Sequence, residues 1–232
     1  MVLGVIGAAT VLGAHSVSPA VTAEDRECLD AALAEAGYPG LLASRPAAFD
    51  DQLRAIQSVQ DAALTLAPHD AAIPFGQPRE PCDLWRLGFG QCFDRSRFLE
   101  KAFRELGLET RYAAVYSTAR TNSRLKSLLT PGIASHAVVE VRTARGWMLV
   151  DSNMRWLGWT EDDHVVSLAE LGADPAVRQG PWNVRVSDPP SPIFEEPFTY
   201  VFGLYSRHGF FYPPYNRLPD ISWSQLHYNL GR

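Results

Sequence analysis

Several features that would direct a first interpretation are absent or scarce in this chain of 232 residues. No run of lysine and arginine appears and the formal net charge is -5, so the sequence has no electrostatic footprint for nucleic acid. Only three cysteines are present, without CxxC spacing, which excludes the common structural zinc motifs. The 17 glycines and 17 prolines are scattered and 46% of residues are hydrophobic, which is typical of a globular protein and excludes a disordered, collagenous or coiled-coil chain.

Charged side chains are missing from residues 1–23, and residues 1–14 are almost wholly apolar. This stretch is short and glycine-rich for a membrane-spanning helix, which takes about 20 apolar residues. It matches the apolar region of a signal peptide, followed by small residues suited to cleavage. We predict export to the periplasm or extracellular space, or membrane attachment through residues 1–23, with a mature chain beginning near Val21 or Glu24. The alternative is a buried N-terminal strand or helix in a cytoplasmic protein.

Residues 24–232 contain no repeat, low-complexity tract or linker, so we predict a single α+β domain there. Four prolines between residues 68 and 81 predict an extended, non-helical connection. Asp50 is the predicted N-cap of the second helix. Helices are predicted over residues 24–36, 50–67 and from about Cys92 to Leu106, and strands over residues 110–117, 135–143 and 147–151.

The three cysteines are Cys28, Cys82 and Cys92. In an oxidising compartment an odd number leaves one thiol over, so that Cys28 could pair with Cys82 while Cys92 remains free. Three buried, unpaired thiols are the alternative.

Cys92 is predicted in the first turn of a helix, behind Gly88 and Gly90. Its spacing from Leu99 and Phe103 places it on the apolar face of that helix, which by itself favours a core cysteine. The helix start favours a thiolate, however, because unpaired backbone N–H groups and the helix dipole attract negative charge there. Cys92 is therefore a candidate nucleophile, and such a nucleophile requires a base.

The candidate base is His136, on a predicted hairpin of residues 135–143 and 147–151. Both segments alternate at strand period and share one apolar face. If the hairpin turns about residues 143 and 144, His136 lies opposite Asp151, with Cβ atoms about 5 Å apart. A carboxylate in that place orients an imidazole and stabilises its protonated form. The alternative is an exposed histidine that happens to face a turn aspartate.

Four segments, in this order and spacing, resemble the core of the transglutaminase-like superfamily. They are residues 90–93 at the helix start, 106–111 entering a strand, 135–141 and 146–151. The resemblance covers about residues 50–151 and implies a papain-like fold, in which the helix bearing the nucleophilic cysteine packs on an antiparallel sheet bearing the histidine and the aspartate. Two departures stand out. Phe93 occupies a position where animal transglutaminases commonly have tryptophan, and residues 151–153 read Asp-Ser-Asn where bacterial members commonly have Asp-Pro.

The resemblance implies a triad of Cys92 as nucleophile, His136 as base and then acid, and Asp151 as the carboxylate that orients it. The implied chemistry is acyl transfer from a peptide, protein or other amide-bearing substrate, through a thioester, to an amine or to water. No cofactor or metal ion is expected. The backbone N–H of Cys92 is the natural first oxyanion-hole donor, and Gln91 or Trp85 is a candidate for the second.

Residues 118–134 carry Arg120, Arg124 and Lys126 and no acidic side chain. We predict either a loop beside the site that meets an acidic or carboxylate-bearing substrate, or a solvated loop without that role.

The C-terminal extension from Ile193 holds 11 of the 25 aromatic residues, in runs such as residues 210–215. They are predicted to wrap the core or line a groove, with a surface for a partner or glycan as the alternative. A catalytically silent, exported binding module that uses this surface is the second function the sequence allows.

Overall fold

The computed structural model describes residues 15–68, 71–74, 77–130, 132–205 and 220–230. These residues form helices and antiparallel strands, which confirms the predicted α+β class. The α-helices are α1 (Ala23–Glu35), α2 (Phe49–Leu66), α3 (Pro81–Leu87), α4 (Cys92–Glu105), α5 (Arg124–Leu129), α6 (Leu168–Ala173), α7 (Pro175–Arg178) and α8 (Trp223–Leu226). The strands are β1 (Thr110–Ser117), β2 (Ser135–Thr143), β3 (Gly146–Asp151), β4 (Phe198–Phe202), β5 (Leu204–Tyr205) and β6 (Asp220–Ile221).

The main sheet has the strand order β3-β2-β1-β4, and every pair in it is antiparallel. Successive side chains of a strand point to opposite faces, so the sheet separates two hydrophobic clusters. Ala137, Val139 and Val141 belong to the first cluster, together with the buried faces of α1, α2 and α4. Val138 and Leu149 belong to the second, together with large aromatic side chains from residues 156–202.

Helix α4 is buried over most of its length, with Leu99 and Phe103 fully inaccessible. This confirms the predicted apolar face. The helix ends where Gly107 takes a left-handed backbone with φ of 84° and its N–H donates to the carbonyl of Arg104. Helix α4 is thus held between the sheet and the other helices. Cys92, the candidate nucleophile, is its first residue.

Three local predictions differ from the structure. Helix α2 begins at Phe49 with Ala48 as N-cap, so Asp50 lies inside the first turn and is not the cap. The connection predicted to be non-helical contains α3, because Pro81 occupies the first helical position, where a missing N–H costs no hydrogen bond. The segment 118–134 contains α5, which Ser123 caps by accepting from the N–H of Lys126.

Cys28 and Cys82 form a disulfide that joins α1 to α3, with their Cα atoms 5.1 Å apart. Cys92 carries a free thiol. The structure therefore agrees with the paired alternative for the three cysteines.

Residues before α1 pack on the domain. Val17 is buried in the first cluster, and its N–H donates to the carbonyl of Ile221 at 2.9 Å. The carbonyl of Ser18 accepts from Arg97 Nη2 at 2.7 Å, and Thr22 caps α1. Most of the predicted signal segment, residues 1–14, lies outside the described residues, as does the aromatic run of residues 210–215. Within the described ranges, no helix combines the length and apolarity that crossing a membrane requires.

Candidate active site

Cys92 is the first residue of α4 and its side chain is partly exposed. Its backbone N–H has no acceptor within the helix because of that position. A glycine is needed just before it, since a Cβ on Gly90 would lie 2.5 Å from Leu84 Cδ1 and 3.0 Å from Asp94 Cβ. Gly88 ends α3 in a left-handed conformation with φ of 66°. These two glycines permit the tight turn from α3 into α4 that presents the thiol.

His136 and Asp151 come together at the end of the β2–β3 hairpin. His136 Nε2 lies 2.8 Å from Asp151 Oδ1, and both side chains are buried. The predicted register was wrong by two residues, because the turn consists of residues 144 and 145 and Asp151 pairs with Val138. A slip of two residues keeps each side chain on its face, so the two groups still meet, as diagonal neighbours.

Three hydrogen bonds hold the Asp151 carboxylate. Oδ1 accepts from His136 and from the backbone N–H of Asn153 at 2.9 Å, and Oδ2 accepts from the backbone N–H of Ser191 at 3.0 Å. Burial alone would raise the pKa of Asp151, but the charge and hydrogen bond of His136, with those of Asn153 and Ser191, lower it overall. The carboxylate therefore remains ionised, as an orienting group must.

Burial lowers the pKa of His136, and the Asp151 charge, the Asp151 hydrogen bond and the Cys92 side chain together raise it to about 10. Cys92 is close enough to the ring to contribute to this rise. Because Nε2 is bound to Asp151, Nδ1 is the ring nitrogen left for the thiol. Phe194 packs edge-on against the ring, with centroids 6.0 Å apart. The arrangement favours a protonated imidazole.

The chain leaving β3 is held by side chains that the sequence interpretation missed. Gln60 Nε2 donates to the carbonyls of Asp151 and Trp156, both at 2.8 Å. Ser152 Oγ donates to the carbonyl of Ala137 at 2.7 Å. Arg95 Nε donates to the carbonyl of Ser152 at 2.5 Å. The one sequence signal for these contacts was Asp-Ser-Asn at residues 151–153, where bacterial members of the superfamily commonly have Asp-Pro.

The two candidates for the second oxyanion donor differ in their surroundings. Trp85 Nε1 donates to Glu35 Oε2 on α1 at 2.8 Å, so its only side-chain donor is engaged away from the triad. Gln91 is the N-cap of α4, directly before the thiol, and its backbone N–H donates to Asp94 Oδ2 at 2.9 Å.

The three basic candidates lie in or next to α5. Arg120 Nη1 donates to the carbonyl of Gly132 at 2.9 Å, and Arg124 and Lys126 are exposed in the helix. In the part of the chain that the structure describes, none of the three is hydrogen-bonded or ion-paired to a triad residue. Leu125 and Leu129 are 67% and 59% exposed, so the helix presents apolar as well as basic side chains to solvent.

Residues 46–152 match the sequence profile of the transglutaminase-like superfamily. No curated protein matches the chain. The matched region runs from just before α2 to the residue after Asp151, so it contains all three triad candidates.

Proposed function

We propose, from the premise that residues 46–152 of the chain belong to the transglutaminase-like superfamily, that the protein is a cysteine enzyme acting on amide bonds. It is an amidase, a peptidase or an amide acyltransferase that works through a thioester on Cys92. The observation that carries the proposal is the buried His136–Asp151 pair at 2.8 Å, together with the free thiol of Cys92 at the start of α4.

In the first step the Cys92 thiolate attacks the amide carbonyl carbon and forms the C–S bond, while the C–N bond breaks. Protonated His136 gives its proton to the leaving amine. In the second step water or an acceptor amine attacks the thioester, neutral His136 takes its proton, and the C–S bond breaks to return the thiolate. Asp151 keeps the imidazole oriented and stabilises its protonated form in both steps.

Developing negative charge on the carbonyl oxygen requires hydrogen-bond donors. We assign the first to the backbone N–H of Cys92, which the helix leaves without an acceptor. The side-chain amide of Gln91 is the preferred second donor, because the indole N–H of Trp85 is engaged with Glu35 and the backbone N–H of Gln91 with Asp94.

The substrate we propose is a peptide, protein or other amide-bearing molecule with an acidic or carboxylate group. Exposed Arg124 and Lys126, in a segment without acidic side chains, support this charge preference.

The test uses limiting iodoacetamide near neutral pH on the folded protein, followed by peptide mapping. We expect alkylation at Cys92, several-fold slowed in His136→Ala, because the imidazolium stabilises the thiolate. His164→Ala is the matched control, since this exposed histidine pairs with Glu170 away from the triad. Equal alkylation rates in wild type and His136→Ala would contradict the proposal and favour the silent binding module.

We also propose that the protein is exported. The Cys28–Cys82 disulfide supports this, because such bonds persist in oxidising compartments. Cleavage near Val21 or Glu24 would remove buried Val17, and cleavage at Glu24 would also remove the Thr22 cap, so we now place the cut at or before His15. N-terminal sequencing of the secreted product tests the position, and a full-length cytoplasmic protein with reduced cysteines would refute export.

A further inference from the structure

Arg95 lies one helical turn after Cys92 on α4, and its side chain is completely buried. All its hydrogen bonds go to neutral oxygens. Its acceptors are the carbonyls of Ser152 at 2.5 Å, Gly90 at 2.6 Å and Ala67 at 2.9 Å, and the side-chain oxygen of Asn153. Across the described residues Arg95 forms no ion pair with a carboxylate, which is unusual for a buried guanidinium.

A buried arginine without a carboxylate is costly, because the guanidinium stays charged at any pH that the fold survives. In the described residues, every other buried lysine or arginine contacts a carboxylate directly. The pairs are Arg79 with Asp94, Arg97 with Glu100 and Lys101 with Asp25. What stands one turn from Arg95 is the Cys92 thiol, a group that is negative only in its reactive form. Side chains at this spacing are neighbours on a helix.

We propose that Arg95 is a positioning residue of the active site, whose buried charge favours the Cys92 thiolate and whose hydrogen bonds fix the chain that leaves Asp151. The inference rests on the proposed function and deepens it. Burial lowers the pKa of Arg95, and among the charges that oppose this effect, that of Cys92 is the largest, followed by those of Asp94 and Asp151.

The hydrogen bonds of Arg95 also tie the two halves of the site together. One amino group binds Gly90, in the turn before the nucleophile, and the other binds Asn153, whose backbone N–H holds Asp151. The guanidinium thus connects the turn that presents the thiol to the strand exit that presents the carboxylate. Its planar fork suits this task, since it holds several acceptors in one fixed geometry.

The experiment measures the rate of Cys92 alkylation by iodoacetamide as a function of pH in the full chain. We expect Arg95→Gln to move the midpoint upward by about one unit or more, which is about a tenfold loss of rate below the wild-type midpoint. Arg97→Gln is the matched control, an equally buried arginine on the same helix that pairs with Glu80 and Glu100. Its midpoint should equal that of the wild type. An unshifted Arg95→Gln profile, or an equal shift in Arg97→Gln, would overturn the inference.

Two further variants keep the inference testable if Arg95→Gln does not fold. Arg95→Lys retains the charge, and its midpoint should stay nearer to the wild type; a shift as large as that of Arg95→Gln would overturn the charge effect. Asn153→Asp keeps the acceptor and adds a carboxylate against the guanidinium, so its midpoint should rise, and an unchanged midpoint would count against the inference. Failure of the proposed function looks different, because the wild-type thiol would then titrate like that of a free cysteine.

Discussion

The middle of α4 and its first turn bury charge in opposite ways. In its middle, Arg97 contacts Glu80 and Glu100 at 3.1 Å, and Lys101 contacts Asp25 at 2.5 Å. In its first turn, Arg95 contacts only neutral oxygens, beside a thiol. The charges in the middle of the helix are therefore paired in the folded protein, whereas the first turn has a buried positive charge without a carboxylate partner.

This difference separates stability from reactivity along one helix. Direct ion pairs and the hydrogen bonds of Tyr205 and Gln225 satisfy Glu100 fully, so the middle of the helix has no charge left to offer a substrate. Removing one partner of such a buried ion pair destabilises the folded protein. Beside the first turn lies the buried His136–Asp151 pair, whose proton we propose is available for chemistry. Substitutions in the middle of the helix should accordingly change the free energy of unfolding, whereas those around its first turn should change the reactivity of Cys92.

The largest expected effect comes from Asp151→Asn. The substitution removes the charge that keeps His136 protonated and can favour the wrong tautomer, so acylation should slow by about 100-fold or more while the fold remains. The midpoint of Cys92 alkylation should also move to higher pH. Both are measured on the purified variant, acylation with an amide substrate and alkylation with iodoacetamide.

Glu140→Gln is its control. Glu140 is a fully buried carboxylate on β2 that pairs with Arg111, so its loss should lower stability without moving the alkylation midpoint. Superimposable profiles for wild type and Asp151→Asn, with unchanged turnover, would mean that Asp151 has no part in the chemistry.

A smaller effect is expected from removing the disulfide in the double variant Cys28→Ser, Cys82→Ser. The bond joins two helices next to the middle of α4, and its loss should lower the free energy of unfolding by about 2–4 kcal/mol. Denaturant unfolding measures this change. The pH profile of Cys92 alkylation should be the same as in the wild type, and a shifted profile would show that the middle of the helix and its first turn are not independent.

The smallest effect is on the pH dependence of stability. Because the pKa of His136 is raised from 6.5 to about 10, the folded protein holds a proton that the unfolded chain releases between these values. The contribution of His136 to the free energy of unfolding is fully present below pH 6.5 and is lost as pH rises towards 10. In Cys92→Ala, which removes the thiol's own change in bound protons, the free energy of unfolding should fall by up to about 1 kcal/mol between pH 7 and 8, and adding His136→Gln should abolish this slope.

The ion pairs in the middle of α4 should affect the stability of the protein at acidic pH. Burial raises the pKa values of Asp25 and Glu80. Lys101 and the hydrogen bonds of Thr22 nevertheless lower the pKa of Asp25 overall. The charges and hydrogen bonds of Arg97 and Lys101 lower the pKa of Glu80 overall. Their contribution is present above the ordinary carboxyl range and is lost as pH falls through it. A flat profile from pH 7 to 9 in Cys92→Ala would contradict the assignment of the alkaline limb to His136.

Much of the site follows from local patterns in the sequence. Strand alternation places His136 and Asp151 on one face, and this survives the two-residue error in register because the period of a strand is two. The glycines before Cys92 and the apolar spacing after it predict a helix start with the thiol in its first turn. These features depend on neighbours within a few residues, so a single sequence carries them.

Contacts between distant segments were decided only by the tertiary structure. The sequence left the pairing of Cys28 with Cys82 open and said nothing of the bond from Ser191 to Asp151, which joins residues 40 positions apart. The sequence assigned no role to Arg95, whose partners are visible only once Ala67, Ser152 and Asn153 are packed around it. The physical reason is that periodicity fixes only the direction in which a side chain leaves its own helix or strand, whereas burial and hydrogen-bond partners depend on which other segments of the chain pack there.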